Sequence, residues 1–266
     1  MVDLDSTQPL PLGRAGNGSE FKLAAGKYFS WLCSGQTDVG NVRKINEDSI
    51  LICPEKKIWA VADGMGGHAA GDLASQTAVA FLRDVVFVPR LSDYADNVED
   101  SLLAANKRLF QLGVDRTIVA GSTIVVLVAH ERHCLVMWAG DSRLYRWRQG
   151  NFEQITRDHS HVEDLVDLGH ISAAEAEFHP QANVITRAVG AAQDIFLEMD
   201  LLDVQDGDSF LLCSDGLYKE LSFAEIAAVM ASLPPSQASR RLIDLVLEKG
   251  ARDNVSVIIV RAQEND

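Results

Sequence analysis

Acidic residues stand at the start or the end of five apolar stretches in this 266-residue chain. Asn46-Glu47-Asp48 precedes Ile50-Leu51-Ile52, and Asp63-Gly64-Met65-Gly66-Gly67 follows residues 58–62. Gly140-Asp141-Ser142-Arg143 follows 135–139, Ser214-Asp215-Gly216 follows 210–213, and Arg252-Asp253-Asn254 precedes 255–260. Buried strands can end together on one edge of a sheet. Carboxylates gathered there would share a low-dielectric cleft, where they repel unless a cation or a proton intervenes. Oxygen-only ligands suit hard divalent ions, magnesium or manganese; zinc prefers His or Cys, and neither clusters with these acids. Two such ions about 3.5–4 Å apart, sharing a bridging carboxylate, activate water for in-line attack on phosphorus. The glycines after Asp63 allow a tight turn and close approach of backbone oxygen to an ion. A single Asp-Gly after a strand is ordinarily a turn, and Asp141 with Ser142 and Arg143 reads equally as a hairpin with a local ion pair. Five such segments in one domain are harder to dismiss.

The elements that must position these acids follow from periodicity. Strands are expected over 29–36, 49–53, 58–62, 122–129, 133–139, 142–147, 152–156, 184–188, 196–203, 209–213 and 254–261. A helix over 69–86 turns Leu73, Ala74, Thr77, Ala78, Phe81, Leu82 and Val85 inward, and Pro89 follows it. A second, over 92–112, turns Val98, Leu102, Leu103, Ala105, Leu109 and Phe110 inward, and further helices are expected at 161–168, 223–231 and 235–248. Blocks of strands and helices, rather than regular alternation, indicate an α+β fold with helices covering a mainly antiparallel core. Residues 1–27, rich in Gly, Pro and Ser, read as a mobile extension, leaving 28–266 as one domain.

Composition narrows the function. Lys and Arg total 24 against 38 Asp and Glu, a formal charge of −14. That surplus argues against nucleic acid and against an anionic membrane surface, both of which call for clustered basic residues. No apolar run reaches the roughly 18 residues of a membrane-spanning helix. Cys33, Cys53, Cys134 and Cys213 are scattered singly, as small buried hydrophobes of a reducing compartment.

Taken together, the motifs resemble the metal-dependent serine/threonine phosphatases of the type 2C family, in their bacterial form. The resemblance is carried by Thr37-Asp38-Val39-Gly40 with Arg43 and Asn46-Glu47-Asp48, then Val61-Ala62-Asp63-Gly64-Met65-Gly66-Gly67-His68, Gly121-Ser122-Thr123 and Ala139-Gly140-Asp141-Ser142-Arg143. It continues through Thr156-Arg157-Asp158-His159-Ser160, Ile185-Thr186-Arg187-Ala188-Val189-Gly190, Leu212-Cys213-Ser214-Asp215-Gly216-Leu217 and Asp253-Asn254-Val255-Ser256, in the family's order. The resemblance implies a β-sandwich of two antiparallel sheets flanked by helix pairs, with two metal ions at one end. By the same match, Asp63 bridges the ions, the Gly64 carbonyl and Glu47 serve the second, and Asp215 and Asp253 serve the first. Asp141 with Asp215 matches a third, weaker metal site. Arg43 matches the phosphate-binding arginine, a role suited to a fork of donors that stays charged, and Asp48 matches a neighbour that orients the metal-bound water.

The implied reaction is hydrolysis of phosphoserine or phosphothreonine by direct attack of that water, opposing a cytoplasmic Ser/Thr kinase, by an enzyme expected to be monomeric. Met65 departs from the His of eukaryotic relatives and cannot donate a proton. His68, His159 and His161 are alternatives, each read first as structural or solvent-facing. Residues 157–182 match a variable flap in which Asp158, His159, His161, Glu163 and Asp164 either select substrates or merely solvate a lid. The competing functions are a phosphoprotein-binding module without turnover, disfavoured because every metal position keeps its ligand, and a phosphatase of small phosphate esters. A kinase is disfavoured by the lack of a nucleotide-binding glycine loop.

Overall fold

The computed structural model describes residues 21–22, 28–66, 70–176 and 179–265. The extension read over 1–27 lies outside these residues except for β1 (Phe21–Lys22), which pairs with Leu32 and Cys33. In chain order follow β2 (Phe29–Asp38), β3 (Asp48–Cys53), β4 (Ile58–Met65), α1 (Ala70–Asp84), α2 (Leu91–Arg116), β5 (Gly121–Ser122), β6 (Ile124–His130), β7 (His133–Ala139), β8 (Arg143–Arg148) and β9 (Asn151–Gln154). The chain continues through α3 (His161–Asp167), α4 (Ala173–Ala176), β10 (Glu198–Asp203), β11 (Ser209–Cys213), α5 (Asp215–Tyr218), α6 (Phe223–Ser232), α7 (Pro235–Lys249) and β12 (Val255–Glu264).

Two antiparallel sheets form a sandwich, one ordered β1-β2-β12-β11-β8-β9 and the other β10-β7-β6-β4-β3, with β5 on β4. Three apolar layers hold it together. Trp31, Trp59, Val61, Leu127, Phe210, Leu212, Ile258 and Val260 fill the space between the sheets. Ile58, Ala60, Val126 and Val128 face α1 and α2, and Leu211, Val257 and Ile259 face α6 and α7. This explains the unbroken apolar runs of β4 and β12: alternate residues point to opposite faces, and both faces are covered. The α+β, four-layer architecture expected from the sequence is the one observed. Among the described residues no helix is long and apolar enough to cross a membrane.

Several expectations are corrected. Residues 184–188 form no strand, because no edge receives them; only Ile185 makes a bridge, to Ser160. The strand expected over 122–129 is interrupted at Thr123, whose backbone and hydroxyl turn to Asp63 instead. Leu73 and Leu103 point outward, since α1 buries Ala74, Ala78 and Leu82 and α2 buries Leu102, Ala105 and Leu109. β4 also runs on through Asp63 and Gly64 to Met65, so the turn comes at Gly66, whose φ of +142° favours glycine.

Candidate metal centre

Antiparallel pairing decides where the acids meet. The start of β3 lies beside the end of β4, so Asp48 and Asp63 are register partners. The start of β12 lies beside the end of β11, which brings Asp253 and Asp215 together. β7 ends beside the start of β6, which itself abuts β4, so Asp141 reaches the same end of the sandwich.

Asp48 is buried, and its Oδ2 accepts from Ser214 Oγ at 2.7 Å. Its Oδ1 is buried without a partner. Burial pushes its pKa up to about 7 against the pull of Ser214 and Ser256, and Asp215 and Asp253 raise it further. Asp63 is raised well above the carboxylate range, first by burial and then by Asp48, Asp215, Asp141 and Asp253. Asp141 rises to about 6 through burial and Asp215, against Lys219. These mutual effects place five carboxylates within one electrostatic neighbourhood.

Glu47 and Gly64 occupy the flank towards α1. Gly64 N donates to Glu47 O at 3.1 Å. A Cβ on Gly71, in the first turn of α1, would lie 2.5 Å from Glu47 Oε1 and 2.7 Å from the Gly64 carbonyl oxygen. The bare glycine therefore admits both oxygens side by side. Arg43, half exposed at the rim, donates to Asp253 Oδ2 at 2.8 Å, and its charge is further supported by Glu47 and Asp215. Lys219 pairs with Asp215. As the chain stands, Asp253 and Asp215 are thus turned towards protein cations. Among the described residues no three His, Cys, Asp or Glu side chains are drawn closely enough to hold an ion unaided. The donor chemistry nevertheless fits hard divalent ions: all oxygen, one orphaned buried carboxylate atom, and a glycine cradle beside two further oxygens.

Sequence reasoning missed the residues that fix these groups. Asn254 Oδ1 accepts from Glu47 N at 2.8 Å, while its Nδ2 donates to Val39 O and Ile45 O at 2.9 and 3.0 Å. One side chain thereby clamps the loop that carries Arg43. Asp63 N donates to Thr123 Oγ1 at 3.0 Å, and Asp63 O accepts from Thr123 N at 2.8 Å. The quoted motifs contained Asn254 and Thr123, but only the fold reveals what they hold.

The flap expectation changes in part. Asp158 is engaged within the protein: Arg143 grips it through Nε at 2.9 and 3.1 Å and through Nη2 at 2.7 Å. Arg143 therefore makes no local pair with Asp141. His159 is buried and stacked on Trp138, and its Nδ1 accepts from Gly140 N at 3.1 Å. Burial and Arg187 lower its pKa, so it is a structural neutral imidazole. His68 lies outside the described residues.

Comparison with known proteins shows the family and the fold. The family described as Protein phosphatase 2C matches residues 41–248. Protein phosphatase PhpP of Streptococcus pneumoniae is 34% identical over 239 residues, covering 86% of this chain and 97% of that protein. The structure of PppA, described as a key regulatory component of T6SS in Pseudomonas aeruginosa, is 43% identical with a TM-score of 0.82, covering 87% of this chain and 97% of the other. The catalytic domain of the serine threonine protein phosphatase PstP, solved in complex with 2 manganese ions, is 30% identical with a TM-score of 0.80, covering 89% and 100%.

Proposed function

Since this chain belongs to the protein phosphatase 2C family and is a bacterial-type serine/threonine protein phosphatase, we propose that it hydrolyses phosphoserine and phosphothreonine esters in the cleft of Asp48, Asp63, Asp141, Asp215 and Asp253. The observation that carries this reading is the Asp48–Asp63 pair. Two carboxylates opposed across β3 and β4 are both driven upward by burial and by like charge, a repulsion that divalent cations relieve.

Asp63, Asp215 and Asp253 would hold one ion, and Asp63, Glu47 and the Gly64 carbonyl a second. Asp141 with Asp215 would be a third, weaker cation position, towards which the Lys219 ammonium also turns. The ions are magnesium or manganese, and the two manganese ions of the PstP structure favour this choice. When bound, such ions supply positive charge to phosphoryl oxygens and an activated water for in-line attack on phosphorus. The remaining work falls to the chain. Arg43, at the cleft mouth, forks onto two phosphate oxygens and neutralises charge that develops in the transition state. Asp48 Oδ1, lacking a protein partner, accepts a hydrogen bond from the attacking water and orients it. The Met65 thioether donates no proton and His159 is buried and engaged, so neither supplies the proton of the leaving hydroxyl.

Asp63→Asn and Asp215→Asn each lower manganese-dependent phosphate release from a phosphothreonyl peptide by at least about 10³-fold. Substantial activity in either folded mutant sinks the assignment. We further place the enzyme in the cytoplasm opposite a Ser/Thr kinase. Cys53, Cys134 and Cys213, buried thiols, support a reducing compartment. Phosphosites elevated both in a deletion strain and in one expressing Asp63→Asn would name the substrates.

A further inference from the structure

Asp215 opens α5, and one helical turn later Lys219 brings its ammonium back onto the Asp215 carboxylate. Such i,i+4 pairs on exposed helices are ordinary surface features. This one faces the cleft: the Asp215 side chain is 14% exposed and that of Lys219 36%. The lysine charge also acts on Asp141, just past β7, and on Asp63, in β4. Asp141 has a second protein partner. The Tyr218 hydroxyl donates to its backbone oxygen at 3.0 Å and lies 3.4 Å from Oδ2. Tyr218 is held in turn by the Arg143 guanidinium, 3.5 Å from the ring centroid, and Arg143 is anchored on Asp158. The neighbourhood of Asp141 and Asp215 therefore already contains a fixed positive charge on a braced segment.

We propose that the Lys219 ammonium is a built-in substitute for the third cation at Asp141 and Asp215, so that this phosphatase operates with two divalent ions. The inference rests on the two-ion reading of the cleft. A fixed ammonium beside a divalent ion repels it at short range, where screening by water is incomplete. The lysine, paired with one Asp215 oxygen, therefore competes with a third ion beside Asp141 and leaves the first two sites, on Asp63, Asp215, Asp253, Glu47 and the Gly64 carbonyl, to metal.

The test is equilibrium dialysis of the full chain against manganese alone, with bound metal counted by atomic emission and each sample melted to verify folding. Wild type and Lys219→Arg, which keeps the charge, are expected to hold two ions at concentrations where Lys219→Glu and Lys219→Met hold three. The third site of Lys219→Glu should be at least about tenfold tighter than any third site in the wild type. Three ions on the wild type, with a third-site affinity equal to that of Lys219→Met, overturn the proposal, as do two ions on every variant. Absence of saturable manganese binding to the wild type overturns the two-ion reading itself.

Discussion

Replacing Asp48 with Asn separates the cost of the acidic cleft from its use. In the folded chain the Asp48 carboxyl is pushed up to about 7, from an ordinary 3.8. At roughly 1.36 kcal/mol per unit, the ionised group costs the metal-free fold about 4 kcal/mol near neutral pH. Asp48 and Asp63 act on each other, so part of that cost is shared, and we expect Asp48→Asn to recover about 2–4 kcal/mol. The amide keeps the acceptor used by Ser214 and puts an uncharged group where Oδ1 lacks a partner. For a chain of this size, about 2–4 °C of melting temperature accompanies each kcal/mol. The assay is thermal unfolding followed by circular dichroism after chelation, at pH 5 and pH 8. The sign follows from linkage. Between about pH 4 and 7 the folded carboxyl keeps a proton that the unfolded one has lost, so wild-type stability falls as pH rises through that window. Asp48→Asn should melt at least about 4 °C above wild type at pH 8, with less than half that gap at pH 5. It should also lose most phosphatase activity. A mutant no more stable than wild type at pH 8 without metal, or one with the wild-type pH slope, refutes the reasoning.

Gly71→Ala places a methyl group 2.5 Å from Glu47 Oε1 and 2.7 Å from the Gly64 carbonyl. It should weaken the second manganese site by at least about tenfold in calorimetry while leaving the helix itself intact. Asn254→Ala removes three hydrogen bonds from the Arg43 loop, for about 2–3 kcal/mol in denaturant unfolding. It should raise KM for a phosphopeptide more than it lowers kcat, with faster amide exchange over residues 39–47. Arg143→Lys loses both the fork onto Asp158 and the stack on Tyr218 and should cost about 2–3 kcal/mol; an unchanged melting curve would count against the bracing of Asp141.

The acids were legible because each stands where an apolar run stops, and strand ends are easy to find when both faces of a strand are buried, as in β4 and β12. The α+β layering followed from the block order of strands and helices, and the two-sheet sandwich from the resemblance of the motifs to the type 2C family. What escaped detection has its partner far away in sequence. Ser214 is informative only beside Asp48, Gly71 only beneath Glu47, and Asn254 only over the loop from Val39 to Glu47. Lys219 looks like any solvated lysine until α5 turns it back to the cleft. Residues 184–188 failed in the opposite direction: Val184 is exposed and Ala188 alone of the five is buried, packing with Val189 as an irregular segment in which Val189 exchanges backbone hydrogen bonds with Ser122.

The pairing of β2 with β12 has a consequence for biosynthesis. These strands run alongside each other from Asp38 opposite Val255 to Phe29 opposite Glu264, so β2 must wait on the ribosome for a strand made long after it. Such long-range closure is slow and leaves a strand edge open to wrong partners meanwhile. It also makes Asp253 and Asn254 dock after the Arg43 loop has been made, although that loop depends on both. A nascent chain therefore contains most of the cleft's acids before the strand that organises them, and dephosphorylation begins only after β12 has emerged.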